Sequence, residues 1–139
     1  MKRLTVTTLL LAFLLIGCGK EDLTPNAQTE KLLRAQVWEL TETKIDGVIS
    51  NLYDGLTLTF GSKIYSTTNG GKLWPASGTW DFIGGKGAMI IRNDGLEIEV
   101  IKADAANLTI SFFWYSPIYE GGRKGSLSGL HVMTFKRKV

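Results

Sequence analysis

The sequence predicts an all-β domain, a small antiparallel barrel of eight strands in up-and-down order with a short helix at its N-terminus. Eight short runs, most of them alternating apolar and polar residues, follow one another between residues 37 and 137. Gly, Asn and Asp residues separate these runs, and no amphipathic helix lies between them, which argues against a fold of alternating strands and helices. Closing the sheet removes the strand edges that an open sheet would present. A two-sheet β-sandwich is the alternative.

The elements are predicted in order along the chain. Residues 29 to 35 indicate two helical turns, with Thr29 as N-cap and Leu32 and Leu33 facing the core. The eight strand runs are Trp38–Thr43, Leu56–Phe60, Lys63–Thr67, Gly78–Phe82, Ala88–Arg92, Leu96–Val100, Asn107–Tyr115 and Leu130–Lys136. Asp94-Gly95 between the fifth and sixth runs predicts a tight hairpin, because such a turn needs positive φ angles.

The first 17 residues indicate a targeting segment rather than part of the fold. Lys2 and Arg3 give it a positive start, and residues 4 to 16 form an uncharged, mainly apolar run. This run is shorter than the about 20 apolar residues that a membrane-spanning helix needs. We therefore expect a signal peptide over residues 1–17, a tether over 18–28 and a barrel domain over 29–139.

The composition argues against several classes of protein. The chain of 139 residues has one Cys and one His, which rules out an intramolecular disulfide and a zinc cage of Cys and His ligands. The net charge is +3, and this positive balance comes from the two ends of the chain, because without Lys2, Arg3 and residues 136–138 it would be −2. No basic face of the kind that nucleic acid requires is therefore expected.

The residues also predict a protein without enzymatic activity, metal or cofactor. His131 is the only side chain whose ordinary pKa lies near neutral pH, and it falls inside a strand, where a wall position is the simplest interpretation. Glu97 and Glu99 share one strand face about 7 Å apart, but Leu96 and Ile98 form the other face, so that the two acids are expected to face water. No recognisable catalytic set results.

Aromatic residues concentrate on the faces that should point into the barrel. The residues expected inside are Trp38, Phe60, Trp80, Phe82, Phe112 and Trp114, whereas Trp74, Phe113, Tyr115 and Tyr119 are expected outside or in loops. Eight strands enclose a space that side chains can fill or that can hold one small ligand, and both alternatives are open. The candidate ligand-binding residues are Trp38, Trp80, Phe112, Trp114, Tyr115 and Tyr119.

The segment Leu15-Ile16-Gly17-Cys18 resembles the lipobox of bacterial lipoproteins. This resemblance implies cleavage before Cys18, lipid attachment to its sulfur and a membrane anchor made of acyl chains. Lys20-Glu21-Asp22 resembles the surface-export signal of lipoproteins in the Bacteroidota group. It implies an outer-membrane lipoprotein on the cell surface, and a domain that faces the periplasm is the alternative.

Residues 30 to 138 resemble the lipocalin-like domains of bacterial lipoproteins. The features that carry this resemblance are Val37-Trp38-Glu39-Leu40, the strand Leu56–Phe60 with a Gly turn and Tyr65 after it, Ser77-Gly78-Thr79-Trp80, and Thr134-Phe135-Lys136. The resemblance implies a barrel that binds a small apolar or amphipathic ligand. The alternative is a filled barrel that acts as a non-enzymatic interaction module and contacts protein or glycan through Trp74 and the loop from Ser116 to Ser128.

Overall fold

A computed structural model describes residues 23–115 and 128–139 of the chain. These residues form one helix and nine strands. In chain order the elements are α1 (Pro25–Arg34), β1 (Val37–Ile45), β2 (Val48–Ser50), β3 (Thr57–Phe60), β4 (Ile64–Thr68), β5 (Ser77–Ile83), β6 (Met89–Arg92), β7 (Glu97–Ala103), β8 (Asn107–Trp114) and β9 (Gly129–Arg137). The predicted fold class is confirmed: eight strands close into an antiparallel barrel, and β2 is an additional strand.

The first and last strands close the barrel. Strand β1 pairs with β3 on one side over Val37–Glu39 and with β9 on the other side from Trp38 to Ile45. Between them the order runs β3-β4-β5-β6-β7-β8-β9 without a crossover. One continuous ladder therefore returns to β1, which excludes the two-sheet sandwich.

Strand β2 was not predicted from the sequence. Asp46 and Gly47 have φ angles of 50° and 81°, which suit a two-residue hairpin turn, and Thr43–Ile45 of β1 pairs with Val48–Ser50 across that turn. Three residues are too few to reveal an alternation of apolar and polar side chains. The hairpin extends beyond the point where β1 leaves β3.

Helix α1 begins earlier than the sequence predicted, at Pro25 rather than after Thr29. The hydroxyl of Thr24 accepts a hydrogen bond from the backbone N–H of Ala27 at 3.2 Å, so that Thr24 is the N-cap. Proline suits the first helical position because its nitrogen has no hydrogen to satisfy there. The segment expected to serve as tether up to residue 28 thus overlaps the first turn of the helix.

The helix closes one end of the barrel. The indole N–H of Trp38 donates to the carbonyl of Leu33 in the last turn at 3.0 Å. Asn26 donates to the carbonyl of Gly84 at 2.9 Å and accepts from the N–H of Gly87 at 2.8 Å. Gly87 has a φ of 67°, and a Cβ there would lie 2.5 Å from the carbonyl oxygen of Pro25. We call this end, with turns 61–63, 84–88 and 104–106, the helix end.

Large side chains of the chain point into the barrel interior. Of the residues expected inside, Trp38, Phe60, Trp80 and Phe112 are buried, whereas Phe82 and Trp114 are partly buried and pack against the core. Trp38 and Trp80 have exposed fractions of only 0% and 3%. Phe113 and Tyr115 are exposed, as predicted.

Trp80 anchors the centre of β5 against the turn between β3 and β4. Its indole N–H donates to the carbonyl of Ile64 at 3.0 Å, and its ring meets the edge of Phe60 at a centroid distance of 5.7 Å. The ammonium of Lys63 lies 5.0 Å from the centre of the Trp80 ring and 3.0 Å from a carboxylate oxygen of Asp81. The ring thus joins two strands and a turn.

We expect Trp80→Ala to lower the free energy of unfolding by about 3 to 5 kcal/mol, because the lost ring leaves a cavity. Phe113→Ala is the matched control, since this ring is 72% exposed, and it should cost less than about 0.5 kcal/mol. Urea denaturation followed by circular dichroism measures both. Equal costs for the two variants would contradict the assigned inner and outer faces.

Candidate functional site

The candidate site lies at the barrel end opposite helix α1. The hairpin turn at Asp46-Gly47, loops 51–56 and 69–76, turn 93–95 and the start of β9 meet there, and we call it the loop end. Five rings lie inside this half of the barrel. These are Tyr53, Tyr65, Trp74, Phe112 and His131, the aromatic cluster, and none of them is more than 4% exposed.

The rings of the aromatic cluster contact one another in a chain. The imidazole of His131 stacks on Phe112 with centroids 5.3 Å apart and planes 12° apart. Tyr53 lies 5.9 Å from His131, and Trp74 meets Phe112 edge-on at 6.1 Å. Tyr65 meets Trp74 edge-on at 5.8 Å. Edge-to-face pairs are favourable arrangements of aromatic rings beyond their apolar burial. The cluster thus joins two loops and three strands into one packed unit.

The position of Trp74 corrects the expectation from the sequence. Trp74 was expected outside the barrel, as part of a contact surface, but it is 2% exposed and lies inside. Its backbone N–H donates to the carbonyl of Gly70 at 3.0 Å, which closes a tight turn. A Cβ at Gly70 would lie 2.3 Å from the Trp74 carbonyl oxygen. The absence of a side chain at residue 70 therefore lets the loop fold inward and insert the indole.

Arg92 is a buried cation beside the aromatic cluster. Its guanidinium lies 4.9 Å from the centre of the Trp74 ring and donates to the carbonyl of Leu73 at 2.8 Å. Two further nitrogens donate to the two carboxylate oxygens of Asp94, the Nε bond measuring 3.0 Å. The hydrogen bond from Arg92 lowers the pKa of Asp94, so that the carboxyl stays ionised. The charge of Arg92 is thus balanced within the chain.

Three buried polar atoms, Thr43 Oγ1, Trp74 Nε1 and His131 Nε2, have no hydrogen-bond partner among the described residues, and Trp114 Nε1 is a fourth. His131 Nδ1 lies 3.0 Å from the carbonyl oxygen of Gly129, which can only accept, so that Nδ1 carries the proton and Nε2 is an acceptor. Burial lowers the pKa of His131, which keeps the ring neutral. Buried polar atoms without partners are uncommon in proteins, and water or a ligand hydroxyl often satisfies them.

A second feature of the loop end is a cleft beside the hairpin of β1 and β2. It has a volume of about 820 Å³ and is lined by Ile45, Asp46, Val48, Ile49, Ser50, Asn51, Leu52 and Ser128, and we call it the hairpin cleft. Val48 and Ile49 on β2 are 69% and 68% exposed. Within the described chain no strand pairs with the outer edge of β2. The cleft therefore combines exposed apolar side chains with the backbone hydrogen-bonding groups on the free edge of β2.

The structure does not bring the predicted binding residues together. Phe112 belongs to the aromatic cluster, whereas Trp38 packs next to helix α1 and Trp80 next to turn 61–63. Trp114 is partly buried at the end of β8, and Tyr115 is 89% exposed. The remaining predicted site residues, Cys18, Lys20, Glu21, Asp22 and Tyr119, lie outside the described residues.

Among the loop-end residues, Tyr53, Arg92 and His131 were not predicted as site residues, and Trp74 was predicted only as part of an outer contact surface. For two of them the sequence carries a signal. Arg92 lies two residues after Ile90, and His131 two residues before Met133, so that strand alternation places both inward. Tyr53 and Trp74 come from loops, and no periodicity predicts where a loop side chain points.

No protein-family model matches the chain, and comparisons with curated proteins and with solved structures find no match either. The barrel architecture agrees with the resemblance to lipocalin-like lipoproteins, and the rest of that resemblance stays a prediction.

Among residues 23–115 and 128–139, no helix has the length and apolar character needed to cross a membrane. Within the same residues, no three His, Cys, Asp or Glu side chains lie close enough together to hold a metal ion.

The stability of the protein should fall between pH 7.5 and pH 5.5. The unfolded chain protonates His131 below its ordinary pKa of about 6.5, whereas burial lowers the pKa in the folded state. The unfolded state then binds more protons, and stability is lost as the pH falls, by at most about 1.4 kcal/mol per pH unit. Urea denaturation at the two pH values measures the loss.

His131→Phe is the matched control, because it keeps a ring against Phe112 and removes the titration. Its stability should be the same at pH 7.5 and 5.5. The carboxyls of Asp81, Asp94 and Asp104 have lowered pKa values and titrate at more acidic pH. An unchanged pH dependence in the Phe variant would contradict the assignment to His131.

Proposed function

We propose that this chain is the precursor of a lipid-anchored lipoprotein whose filled barrel is a non-enzymatic support for a protein-binding surface at the loop end. The observation that carries the proposal is the interior of the barrel, where large side chains occupy the space in which a carrier would hold its ligand. This choice favours the interaction module over the small-ligand carrier. Cys18 is proposed as the lipid attachment site and Lys20, Glu21 and Asp22 as the export signal.

Packing in both halves of the barrel supports a filled interior. Near the helix end, Trp38 and Leu58 are completely buried, and Trp38 pairs directly with Leu58 across β1 and β3. In the other half the aromatic cluster brings five rings inward. Interiors packed with such side chains have few voids larger than a water molecule. A contact with another molecule is therefore best sought on the outer surface.

The hairpin cleft is the surface that best fits this role. Val48 and Ile49 are apolar and more than two-thirds exposed at 69% and 68%, and Leu52 beside them is 36% exposed. Exposed apolar patches on soluble domains often mark interaction sites. The outer edge of β2 adds backbone groups to which an extended segment could pair. We propose that the partner is a protein that presents an apolar segment to the hairpin cleft. The cleft replaces the surface around Trp74 as the proposed contact surface.

The proposed anchor also fits the position of the cleft. Six residues lead from Cys18 to the N-cap Thr24, and an extended chain of that length reaches at most about 22 Å. A lipid on Cys18 would therefore hold the helix end of the barrel near the membrane. The hairpin cleft belongs to the opposite end, so that it would point away from the lipid surface toward a partner.

Site-specific cross-linking in cells tests the proposed surface. A photo-crosslinking amino acid in place of Ile49 should give a discrete adduct with another protein on illumination. The same replacement at Ile64 is the matched control, because this residue is also an exposed isoleucine on a strand, with an exposed fraction of 57%, but starts β4 at the helix end. We expect no adduct from the residue 64 variant.

A second set of variants separates partner binding from folding. Val48→Thr with Ile49→Thr keeps β-branched side chains in β2 but removes apolar surface, and it should reduce adduct formation from a crosslinker at residue 52. Circular dichroism should show an unchanged barrel. Equal adducts from residues 49 and 64, or no adduct from residue 49, would contradict the proposed surface.

A small-ligand carrier is the second candidate, and the three unpartnered polar atoms beside the aromatic cluster favour it. A bound molecule with a hydroxyl group could accept from Trp74 Nε1 and donate to His131 Nε2. Native mass spectrometry of protein purified from its own host discriminates the two functions. A retained mass that is lost in Thr43→Val together with His131→Phe would favour the carrier over the module.

Lipid attachment has its own test. Cys18→Ala should abolish incorporation of a fatty-acid analogue and release the protein from the membrane fraction, because acyl chains each contribute about 0.8 kcal/mol per buried methylene. Replacement of residues 20–22 by Ala is the control, since it should leave the label in place and change only protease access on intact cells. Label that persists without Cys18 would contradict the proposed anchor.

A further inference from the structure

The outer wall of the barrel carries a second groove, which adjoins the hairpin cleft where Leu130 is hydrogen-bonded to Asp46. It has a volume of about 470 Å³ and runs along strands β6 to β9. The side chains that matter for its chemistry are Met89, Glu97, Glu99, Phe113 and Leu130, and we call it the wall groove. It combines apolar side chains with two carboxylates.

Phe113 breaks the pattern of its own strand. On β8 the inner positions Leu108, Ile110 and Phe112 are buried, and the outer positions carry Thr109 and Ser111 before Phe113. A polar residue is expected at the next outer position of such a strand. The ring is instead 72% exposed, and it pairs across the ladder with Leu130 of β9. The two side chains form an apolar shelf on the outside of the wall.

Glu97 and Glu99 lie beside this shelf on the same face of β7. Ladder pairing places Glu97 opposite Ile91 and Glu99 opposite Met89, so that apolar side chains flank the acids on β6 as well. Ser111 donates to Glu99 at 3.4 Å. None of the ion pairs formed within the described chain involves either glutamate. The groove therefore presents two uncompensated negative charges about 7 Å apart between apolar flanks.

We infer that the wall groove binds a polypeptide segment of a partner protein in which two basic side chains lie between apolar ones. Such a segment places its charges on Glu97 and Glu99 and its apolar residues on Phe113 and Met89. A two-fold contact with a second copy is disfavoured, because the carboxylates would face their own copies. An anionic lipid surface is disfavoured for the same electrostatic reason. This surface is independent of the hairpin cleft, and either can fail without the other.

A peptide of defined sequence tests the inference. The probe is a fluorescein-labelled repeat of Leu-Thr-Lys-Thr-Lys-Thr-Leu, which when extended places two Lys between two Leu on one face. Fluorescence anisotropy with the full mature chain should give saturable binding that weakens as NaCl rises. Peptides with Gln in place of Lys, or Ser in place of Leu, should bind more weakly, because the groove requires both kinds of side chain.

Variants of the protein locate the binding. Glu97→Gln with Glu99→Gln should weaken it by about three- to tenfold, the effect of two exposed ion pairs, and Phe113→Ser by at least about fivefold, as for an aromatic anchor. Glu39→Gln with Glu42→Gln removes the same charge from β1, and Ile64→Ser removes an exposed apolar side chain from β4. Both control variants should bind the probe as the unaltered chain does.

Several outcomes would overturn the inference. These are no binding by the unaltered chain, equal losses in the control variants, or equal affinity for all three peptides. Sedimentation velocity adds a further test, since self-association that disappears in the Glu97 and Glu99 variant would identify a second copy as the occupant. Binding that appears only after Arg123→Gln and Lys124→Gln would indicate that the chain's own basic residues occupy the groove.

Discussion

The pairing of β1 with β9 is the constraint on which the rest of the molecule depends. It joins residues that are separated by almost the whole folded chain, from Trp38 opposite Arg137 to Ile45 opposite His131. With that ladder formed, every barrel strand has two neighbours, and each strand acquires an inside and an outside. A bulge between Leu40 and Glu42 lets β1 continue along β9 after it has left β3. The same strand then carries β2, which extends the wall beyond the barrel.

Closure also decides what the interior can hold. Eight strands enclose a space that a few large side chains can fill, and Trp38, Trp80 and the aromatic cluster point into it. Trp74 contributes to this filling although it comes from a loop, because the tight turn at Gly70 inserts it beside Arg92. The Arg92 charge is balanced by Asp94 and the Leu73 carbonyl.

Two outer surfaces follow from this arrangement, and they differ in chemistry. The hairpin cleft is apolar and adjoins an unpaired strand edge, because β2 extends past the barrel ladder. The wall groove combines apolar side chains with Glu97 and Glu99, because alternation along β6, β7 and β8 turns one set of residues outward. A barrel tethered at its helix end would leave both surfaces accessible, one at the far end and one on the side. In the proposed function the barrel would be a support on which surface residues supply the specificity.

The sequence by itself determined the fold class and most strand faces. Alternation of apolar and polar residues placed Trp38, Trp80 and Phe112 inside and Phe113 outside, because side chains on a strand point alternately to the two faces of the sheet. Asp94-Gly95 predicted its hairpin from local turn geometry. Only the tertiary structure decided the start of α1, the strand β2 and the burial of Trp74. A proline suits a tether as well as a first helical position, and the three residues of β2 are too few to show a periodicity. The side chain of Trp74 lies in a loop, and its direction depends on contacts with residues distant in sequence. The same holds for the wall groove, whose members are far apart in the chain and meet only when β6 to β9 pair side by side.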